Sequence, residues 1–380
     1  MRLYAFGSNG SGQLGIGHVE DVSVPTQCLF DDDDDSHDGD GDDDDEVLRI
    51  AAGGNHTLVL FRSGAVYAAG CDEDGRCGGY KTGGGDGGSL LKFVRVVVDE
   101  DAGGKKRIDM FKHVAAMWEM TILVSLEEQE EEKVFVMGSG AKGELGLGPQ
   151  TTRVVKPVRI PDFPPRGTRI VSISSSVGHA VVVLSNGDVY GWGAARKGQL
   201  GESVKDQKIV WSPVKIEGIH FHATDVACGR EFTVITGNKE SGEFVILGPA
   251  GLDRWRILSD APQPADVAGF SLVAASWNGI YIHGGNGSVK AWGRNDKGQL
   301  PPPGLPRSSK IAVGSEHALA LLDDQKVVAF GWGEHGNCGP DTDAQGNVNG
   351  RWNEIPVPAK GGAKVVGLGA GCATSWIIVS

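Results

Sequence analysis

Two glycine-rich segments of this chain have the spacing of a dinucleotide-binding loop. Residues 10–15 read GSGQLG and residues 138–143 read GSGAKG, so both match G-x-G-x-x-G. A dinucleotide site needs that loop between a strand and a helix, with an acidic residue about 20 positions further on. Here the loop recurs between predicted strands, and no long amphipathic helix is indicated. The motif is therefore interpreted as a structural turn, and no cofactor is expected.

The histidines could supply ligands or a general base, but their spacing argues for structural roles. His56, His179 and His317 occupy equivalent places in a recurring turn. No nucleophile or acid recurs beside them, so they are expected to bond the backbone inside that turn. His220 and His222 could offer two metal ligands, but no third ligand lies nearby in the sequence. Neither a catalytic residue nor a metal site is predicted.

The six cysteines do not form a recognisable site either. No C-x-x-C pair occurs, and the separation of Cys71 from Cys77 is not the usual zinc-ligand spacing. Cys77 and Cys338 stand where the recurring segment has leucine, so both are expected to be small buried hydrophobic residues. This usage predicts a reducing compartment, the cytoplasm and also the nucleus.

The elements that carry these residues are arranged as a repeat. A segment ending in GQLG at residues 12–15 recurs, and its leading glycines stand at positions 12, 75, 143, 198, about 251, 298 and 336. Intervals of about 50 residues are typical of propellers and arrays, in which each repeat is one small structural unit. We therefore predict one domain over residues 1–380 and look for its function on a surface.

The net charge of −13 is concentrated in one segment. Residues 31–46 hold twelve acidic residues and no Lys or Arg, and taking those charges away leaves −1. Such a run cannot bury a core. A disordered, solvated insert is predicted, and a binding tail is the alternative. No secretory leader is predicted, because Met1-Arg2 leads directly into the first repeat. No apolar stretch approaches the 18 or so residues that span a membrane.

One repeat predicts one blade of four strands. The clearest copy gives strands at 171–174, 180–184, 189–192 and 211–216, with Asn186-Gly187 as a hairpin turn. The ends of the chain complement each other. The last residues supply the inner two strands of a blade, near 364–367 and 374–379, and the first supply a third and a fourth, at 3–6 and near 24–27. A closed ring is predicted, because closure removes exposed sheet edges.

Several segments resemble the regulator-of-chromosome-condensation repeat. They are FGSNGSGQLG (6–15), VYGWGAARKGQLG (189–201), AWGRNDKGQL (291–300) and the turns AGGNHT (52–57) and VGSEHA (313–318). The resemblance covers nearly the whole chain. It implies an all-β fold, a seven-bladed β-propeller of four-stranded blades in which the N- and C-terminal strands share one blade. The loop near residue 251 departs from the pattern, so the outer part of that blade is not specified.

Residues that break the repeat indicate a candidate site. The seven turns that follow the inner strands are expected on one face, around a central channel. Tryptophan and arginine at their tips are residue types that dominate protein interfaces. The predicted partner-binding residues are Trp118, Glu119, Arg230, Glu231, Trp277, Asn278 and Glu316.

Two alternatives accompany this prediction. The indoles of Trp118 and Trp277 could instead fold back onto their blades, which are blades two and five and are not adjacent. The partner could instead use the other face, to which the glycine-rich loops are assigned. Those loops carry Asn9, Asp74, Arg196, Asp296 and His335.

Two functions from different classes follow from the resemblance. The layout is similar to that of the fungal alpha-tubulin-suppressor proteins, also known as regulators of killer-toxin sensitivity. This implies a non-catalytic adaptor that pairs with a small zinc- or iron-binding CSL-type protein and acts in diphthamide synthesis and Elongator-dependent tRNA wobble-uridine modification. The alternative is a guanine-nucleotide exchange factor for a Ran-type small GTPase, although no insert reads as the hairpin wedge of that activity. A monomer within a heterodimer is expected, without direct nucleic-acid or membrane contact.

Overall fold

The fold is built almost entirely from short antiparallel strands. The computed structural model describes residues 1–31, 45–79, 88–99, 107–126, 131–249, 253–358 and 362–380. Most of the predicted acidic insert, residues 32–44, lies outside the described residues. Two short 3-10 helices, Glu202–Gln207 and Pro264–Val267, accompany the strands.

The strands follow one another with short connections. In chain order they are β1 (Arg2–Gly7), β2 (Val22–Gln27), β3 (Val47–Ala52), β4 (His56–Phe61), β5 (Val66–Cys71), β6 (Ser89–Arg95), β7 (Val98–Asp99), β8 (Arg107–Ile108), β9 (Phe111–Ala116), β10 (Met120–Ser125), β11 (Val134–Ser139), β12 (Arg153–Arg159), β13 (Ile170–Ser175), β14 (His179–Leu184), β15 (Val189–Ala194), β16 (Ile209–Lys215), β17 (Asp225–Cys228), β18 (Thr233–Thr236), β19 (Phe244–Leu247), β20 (Phe270–Ala275), β21 (Gly279–Gly284), β22 (Val289–Gly293), β23 (Ser308–Val313), β24 (His317–Leu322), β25 (Val327–Trp332), β26 (Asn347–Ile355), β27 (Val365–Ala370) and β28 (Thr374–Val379).

These strands form the seven blades of a propeller. Blade 1 is β3-β4-β5-β6, blade 2 is β9-β10-β11-β12, blade 3 is β13-β14-β15-β16 and blade 6 is β23-β24-β25-β26. Among the described residues blade 4 (β17-β18-β19) and blade 5 (β20-β21-β22) have three strands. In blade 5 the segment after β22 contains Pro301, Pro302 and Pro303. Proline has no backbone N–H to donate, so these residues cannot donate the hydrogen bonds of a fourth strand. The seven-bladed prediction is confirmed, with these two blades lacking a described outer strand.

Both ends of the chain contribute to blade 7, whose strand order is β2-β1-β28-β27. Strand β1 pairs with β28 at six positions, from Arg2 opposite Val379 to Gly7 opposite Thr374. Leu3, Ala5 and Phe6 are at most 4% exposed, so this strand fills the space between blades as the others do. The predicted closure by strand sharing is confirmed.

A glycine at the end of each third strand sets the distance to the inner turn. Gly70 has φ +108°, and a Cβ built on it would lie 2.4 Å from the carbonyl oxygen of Asn55. Gly138 has φ +106°, and its Cβ would lie 2.3 Å from the carbonyl oxygen of Glu119. Only glycine combines this backbone conformation with so close an approach. The recurring glycine therefore holds the glycine-rich loop against the turn of its own blade.

The other recurring residues also have structural roles. Leu14, Cys77, Leu145, Leu200 and Cys338 are fully buried between blades. Burial raises the pKa of the Cys77 and Cys338 thiols well above the ordinary value. The side-chain oxygens of the recurring glutamines accept backbone N–H groups two residues earlier in the loop, in Gln13, Gln199 and Gln299. The glycine-rich motif closes a turn, as the sequence predicted.

The recurring histidines join neighbouring blades and do not bond within their own turn, so that expectation was wrong. His56 Nε2 lies 2.9 Å from Thr121 Oγ1 of the next blade. His179 and Thr233 are joined in the same way, also at 2.9 Å. Each side chain extends from the first residue of the second strand toward a hydroxyl of the adjacent blade, and Nδ1 has no hydrogen-bond partner among the described residues. The third such pair is His317 with Ser375.

The glycine-rich loops and the inner turns lie on the same face of the ring, which corrects the assignment of those loops to the opposite face. The first and third connections of an antiparallel blade must end on one side, because successive strands reverse direction. The structure shows the contact directly, since Cys71 N donates to Asn55 O (2.8 Å) and Arg294 N to Asn278 O (2.8 Å). We call this side the inner-turn face.

Candidate functional site

The inner turns of all seven blades surround one opening, the channel mouth. It is a cavity of about 140 Å³ at the end of the central channel on the inner-turn face, and every blade contributes lining residues. Two cysteines, Cys228 and Cys372, are among them. Burial raises the pKa of both thiols to about 12. The thiolate that a cysteine nucleophile needs is therefore disfavoured at both positions.

The two tryptophans meet across the channel mouth. The ring centroids of Trp118 and Trp277 are 5.9 Å apart with their planes at 44°. Their blades are not adjacent, and the indoles meet because the turns of blades 2 and 5 converge on a narrow opening. Trp118 also covers Gly54, on which a Cβ would lie 3.0 Å from the indole. Even so, Trp118 is 42% exposed.

Backbone hydrogen bonds hold these turns in place. Arg230 N donates to Trp277 O (2.9 Å), Trp277 N to Ser315 O (3.0 Å) and Ser315 N to Gly371 O (3.0 Å). The four turns of blades 4 to 7 are thus linked in series. The Arg230 guanidinium lies 5.5 Å from the centroid of the Trp277 ring. The indole pair and its cation rest on a backbone that the neighbouring blades fix.

Glu316 is a supporting residue within this face. It is 4% exposed, and its carboxylate accepts from Arg294 (3.0 Å), Gln299 (2.8 Å) and Asn278 (3.4 Å). Arg294 also donates to Asp296 (2.6 Å). This hydrogen bond lowers the pKa of Asp296 and raises that of Arg294. Of the predicted site residues, Glu316 and Asn278 therefore orient the surface from within.

The other two predicted acids are exposed. The Glu119 side chain is 53% exposed, and its Oε1 lies 4.0 Å from Arg76, which forms a buried pair with Asp74 (2.6 Å). Burial opposes ionisation of Asp74, but the hydrogen bond and charge of Arg76 outweigh it and lower the pKa. The Glu231 side chain is 47% exposed and lies 3.5 Å from Lys197. Both carboxylates remain accessible at the rim of the channel mouth.

Below the mouth, a charged group crosses the channel. Arg49 on the inner strand of blade 1 donates to Ile173 O of blade 3 at 2.9 Å. Burial lowers its pKa, and the charge of Asp225 on blade 4 opposes that change. His113 stands nearby, and burial together with the Arg49 charge lowers its pKa to about 4. A side chain of blade 1 thus reaches blade 3 beneath the tryptophan pair.

Sequence reasoning missed a second group of residues beside the channel mouth. Arg254 lies 4.6 Å and Arg294 5.1 Å from the centroid of the Trp255 ring. These residues line a cavity of about 390 Å³ together with Arg230, Glu231 and Lys197. A signal was present in the sequence, because an Arg-Trp-Arg triplet at 254–256 stands where the repeat pattern is lost.

In the part of the chain that the structure describes, no group of three or more His, Cys, Asp or Glu side chains is arranged to hold a metal ion. His220 and His222 thus gain no third ligand there. None of the described helices is long and apolar enough to cross a membrane.

Comparison with known proteins agrees with the repeat analysis. The family model described as RCC1-like domain matches residues 2–377. RCC1 repeat-containing protein C10F6.04 of Schizosaccharomyces pombe is 29% identical over 389 residues, covering 99% of this chain and 98% of that protein. The mouse secretion-regulating guanine nucleotide exchange factor is 26% identical over 416 residues, covering 97% of this chain and 82% of that protein.

A solved structure has the same fold. Prp20p of Saccharomyces cerevisiae matches with a TM-score of 0.74 and 18% identity, over 99% of this chain and 90% of that one. Its structure was described together with its binding to Gsp1p and histones. At this identity the likeness establishes the propeller only.

Proposed function

Since this chain belongs to the family that has the RCC1-like domain, we propose that it is a non-catalytic binding subunit whose inner-turn face holds a protein partner. The observation that carries the proposal is the tryptophan pair at the channel mouth. Trp118 is 42% exposed although it contacts Trp277 at 5.9 Å. Exposed aromatic side chains on a rigid frame lose little conformational freedom on binding, and tryptophan and arginine are enriched among residues that dominate interface energies.

The arrangement of the surrounding groups supports binding over chemistry. The Arg230 guanidinium lies 5.5 Å from the Trp277 ring, and the exposed Glu119 and Glu231 stand at the rim. An apolar centre with a charged rim is the usual anatomy of a protein interface. Burial raises the pKa of the two mouth cysteines, Cys228 and Cys372, which does not favour covalent catalysis.

The finer proposal concerns the partner. The similarity of the repeat layout to the fungal alpha-tubulin-suppressor type supports a small zinc- or iron-binding CSL-type protein as the partner. It also supports roles in diphthamide synthesis and in Elongator-dependent tRNA wobble-uridine modification, with the cytoplasm and also the nucleus as the place of action. A one-to-one heterodimer fits this proposal.

The second candidate function is guanine-nucleotide exchange on a Ran-type small GTPase. The observation in its favour is the match to the mouse exchange factor over 97% of this chain. Against it, none of the described connections on the inner-turn face contains an added strand pair that could act as a wedge. The additional hairpin β7-β8 lies in the connection between blades 1 and 2, on the opposite face. A nucleotide-release assay with purified Ran-type GTPase separates the two functions, since an adaptor leaves the release rate unchanged.

Substitution of the tryptophans tests the proposed face. A tagged full chain is first used to recover its partner from the native organism, and the purified pair is then measured by calorimetry. Trp118→Ala and Trp277→Ala should each weaken the complex by about thirtyfold, because truncating an anchoring tryptophan commonly costs about 2 kcal/mol or more. Thermal melting should stay near that of the unmodified chain for Trp118→Ala, whose indole is exposed.

Trp211→Ala is the matched control, because that half-buried indole belongs to the outer strand β16 of blade 3, away from the channel mouth. It should bind the partner normally. Normal partner binding by both mouth variants, with normal melting, would exclude the inner-turn mouth as the contact surface.

A further inference from the structure

Beside the channel mouth, a cavity of about 390 Å³ lies between blades 4 and 5 on the inner-turn face. We call it the arginine pocket; its charged lining residues are Lys197, Arg230, Glu231, Asp253, Arg254, Arg294 and Asp296. It is continuous with the mouth, because Arg230 lines the pocket while its guanidinium lies over the Trp277 ring. Positive and negative side chains are nearly equal in number there, so the pairing of each decides what the pocket can bind.

The three carboxylates of the pocket are already engaged. Glu231 lies 3.5 Å from Lys197, and Asp296 accepts from Arg294 at 2.6 Å. Asp253 accepts three backbone N–H groups, from Ile257 (2.6 Å), Leu258 (2.9 Å) and Ser259 (2.9 Å). Each carboxylate is therefore paired with a cation or with backbone N–H groups, and none of these contacts involves Arg230 or Arg254.

Two guanidinium groups are therefore left without a carboxylate. Within the described residues neither Arg230 nor Arg254 has an acidic oxygen at ion-pair distance, although both are exposed. Each instead stacks on an indole, Arg230 at 5.5 Å from Trp277 and Arg254 at 4.6 Å from Trp255. Stacking holds the planar group while its N–H donors, which lie in the plane, stay free to bind a carboxylate in a bidentate manner.

We propose that the arginine pocket binds an acidic peptide segment of the protein partner, with Arg230 and Arg254 as the carboxylate-binding residues. This inference rests on the proposed function and adds the chemistry of the partner. The pocket does not belong to a generally basic chain, because the net charge outside residues 31–46 is −1. Its two free guanidinium groups select acidic side chains locally, while the adjoining tryptophan pair supplies the apolar contact.

The test uses a defined probe and the full chain. A fluorescein-labelled twelve-residue peptide of alternating Glu and Gly is titrated with the protein at about 0.15 M salt, where charges more than about 8 Å apart are screened. Fluorescence anisotropy should show saturable binding that the peptide with Gln in place of Glu does not show. Arg230→Met and Arg254→Met should each weaken binding about tenfold, since each removes a hydrogen-bonded charge pair.

Arg166→Met is the control for loss of one positive charge, because the Arg166 side chain is 93% exposed and lies in the connection between β12 and β13, on the opposite face. It should leave peptide affinity unchanged. Equal weakening by Arg166→Met would overturn the proposal, because the binding would then reflect net charge. So would tighter arginine-dependent binding of a phosphoserine peptide than of the Glu peptide, since the pocket would then select phosphate.

The isolated partner separates this inference from the proposed function. If Trp118→Ala weakens the partner but Arg230→Met and Arg254→Met do not, the partner uses the channel mouth and the arginine pocket has no part in binding it. If none of the three variants weakens the partner, both proposals fail. Loss of partner affinity in all three, with the Glu peptide competing against the partner, is the expected result.

Discussion

Where His56, His179 and His317 meet a hydroxyl of the next blade, the hydrogen-bond pattern fixes the tautomer that carries its proton on Nε2. Thr121 Oγ1 has a single proton and donates it to Arg76 O at 2.7 Å, so His56 must donate its Nε2–H to that hydroxyl. Thr233 donates to Gln199 O (2.8 Å) in the same way and thereby accepts from His179. A neutral imidazole satisfies this relay. Burial accordingly lowers the pKa of His56 to about 3 and those of His179 and His317 to about 4.

These histidines make stability depend on acid pH. In the unfolded chain each imidazole titrates near pH 6.5, so between about pH 6.5 and 4 the unfolded state binds more protons than the folded one. Their contribution is complete above pH 6.5 and is lost as the pH falls, by on the order of 2 kcal/mol per histidine at pH 5. Urea unfolding at a series of pH values should show this slope.

One pair of neighbouring blades already has apolar residues where blades 3 and 4 have a histidine and a hydroxyl. Blades 4 and 5 have Phe232 and Ile280 at the equivalent positions, and both are buried in one cluster. The double variant His179→Phe with Thr233→Ile should therefore fold and should lose about one third of the slope that the three histidines give. An unchanged slope would mean that carboxylates, and not these histidines, govern the acid sensitivity.

The sequence predicted which residues belong to the candidate site better than it predicted the contacts between them. Trp118, Trp277 and Arg230 were identified because they break the repeat, and the structure brings them together. Their contact across the mouth depends on the width of the ring, which no local pattern encodes. Trp255 and Arg254 were missed because the loop that carries them has lost the repeat against which a departure could be seen.

At the scale of elements, β1 is the strand on which closure depends. It lies between β28 and β2 in blade 7, and its residues Leu3, Ala5 and Phe6 are at most 4% exposed. Deletion of residues 1–6 should remove most of the net stability, because a domain has only about 5–15 kcal/mol and one buried Phe alone is worth about 3–5. Thermal melting followed by circular dichroism checks this. A melting temperature equal to that of the full chain would contradict closure by strand sharing.

Residues 32–44, in contrast, should be dispensable. Their described flanks are anchored without them, since Asp31 N donates to Phe93 O (2.8 Å) and Ser63 N to Asp45 (3.0 Å), while Arg62 pairs with Glu46. Replacing 32–44 with a short Gly/Ser bridge should leave the melting temperature within a few degrees, because closure entropy depends weakly on loop length. Partner affinity, measured by calorimetry, should also be unchanged. Its loss would make the acidic run a recognition element.

The sequence predicted the positions of the strands well but placed the glycine-rich loops on the wrong face. The strands of blade 3 agree with β13 to β16 within about two residues at most ends, because short apolar runs bounded by Asn-Gly or glycine-rich turns are strong local signals. The face of the glycine-rich loops was nevertheless assigned wrongly. Alternation of strand direction alone places the first and third connections of a blade on one face, so the strand order already determines where these loops lie.

At the scale of the whole molecule, the histidine pairs differ from one junction to the next. His56, His179 and His317 each meet a hydroxyl of the following blade. Between blades 2 and 3 the equivalent residues, Met120 and Ala180, are apolar and share one core cluster. Polar positions thus face polar ones, and apolar positions face apolar ones. At the last junction two threonines face each other, but the hydroxyls of Thr374 and Thr57 are buried without a hydrogen-bond partner among the described residues.

Consequently, some wrong pairings of blades would leave a buried polar group without a partner. Seven similar units could in principle stack in a wrong sequence while the chain folds, because their strands and turns are nearly interchangeable. A blade that presents His179 to an apolar neighbour would leave Nε2 without a partner, in addition to Nδ1, which has none among the described residues, at a cost of roughly 1–3 kcal/mol. Correct neighbours avoid that cost. The contacts between blades therefore favour a hydroxyl beside each of the three histidines, whereas the junction of Thr374 with Thr57, where the two ends of the chain meet, has no such bond.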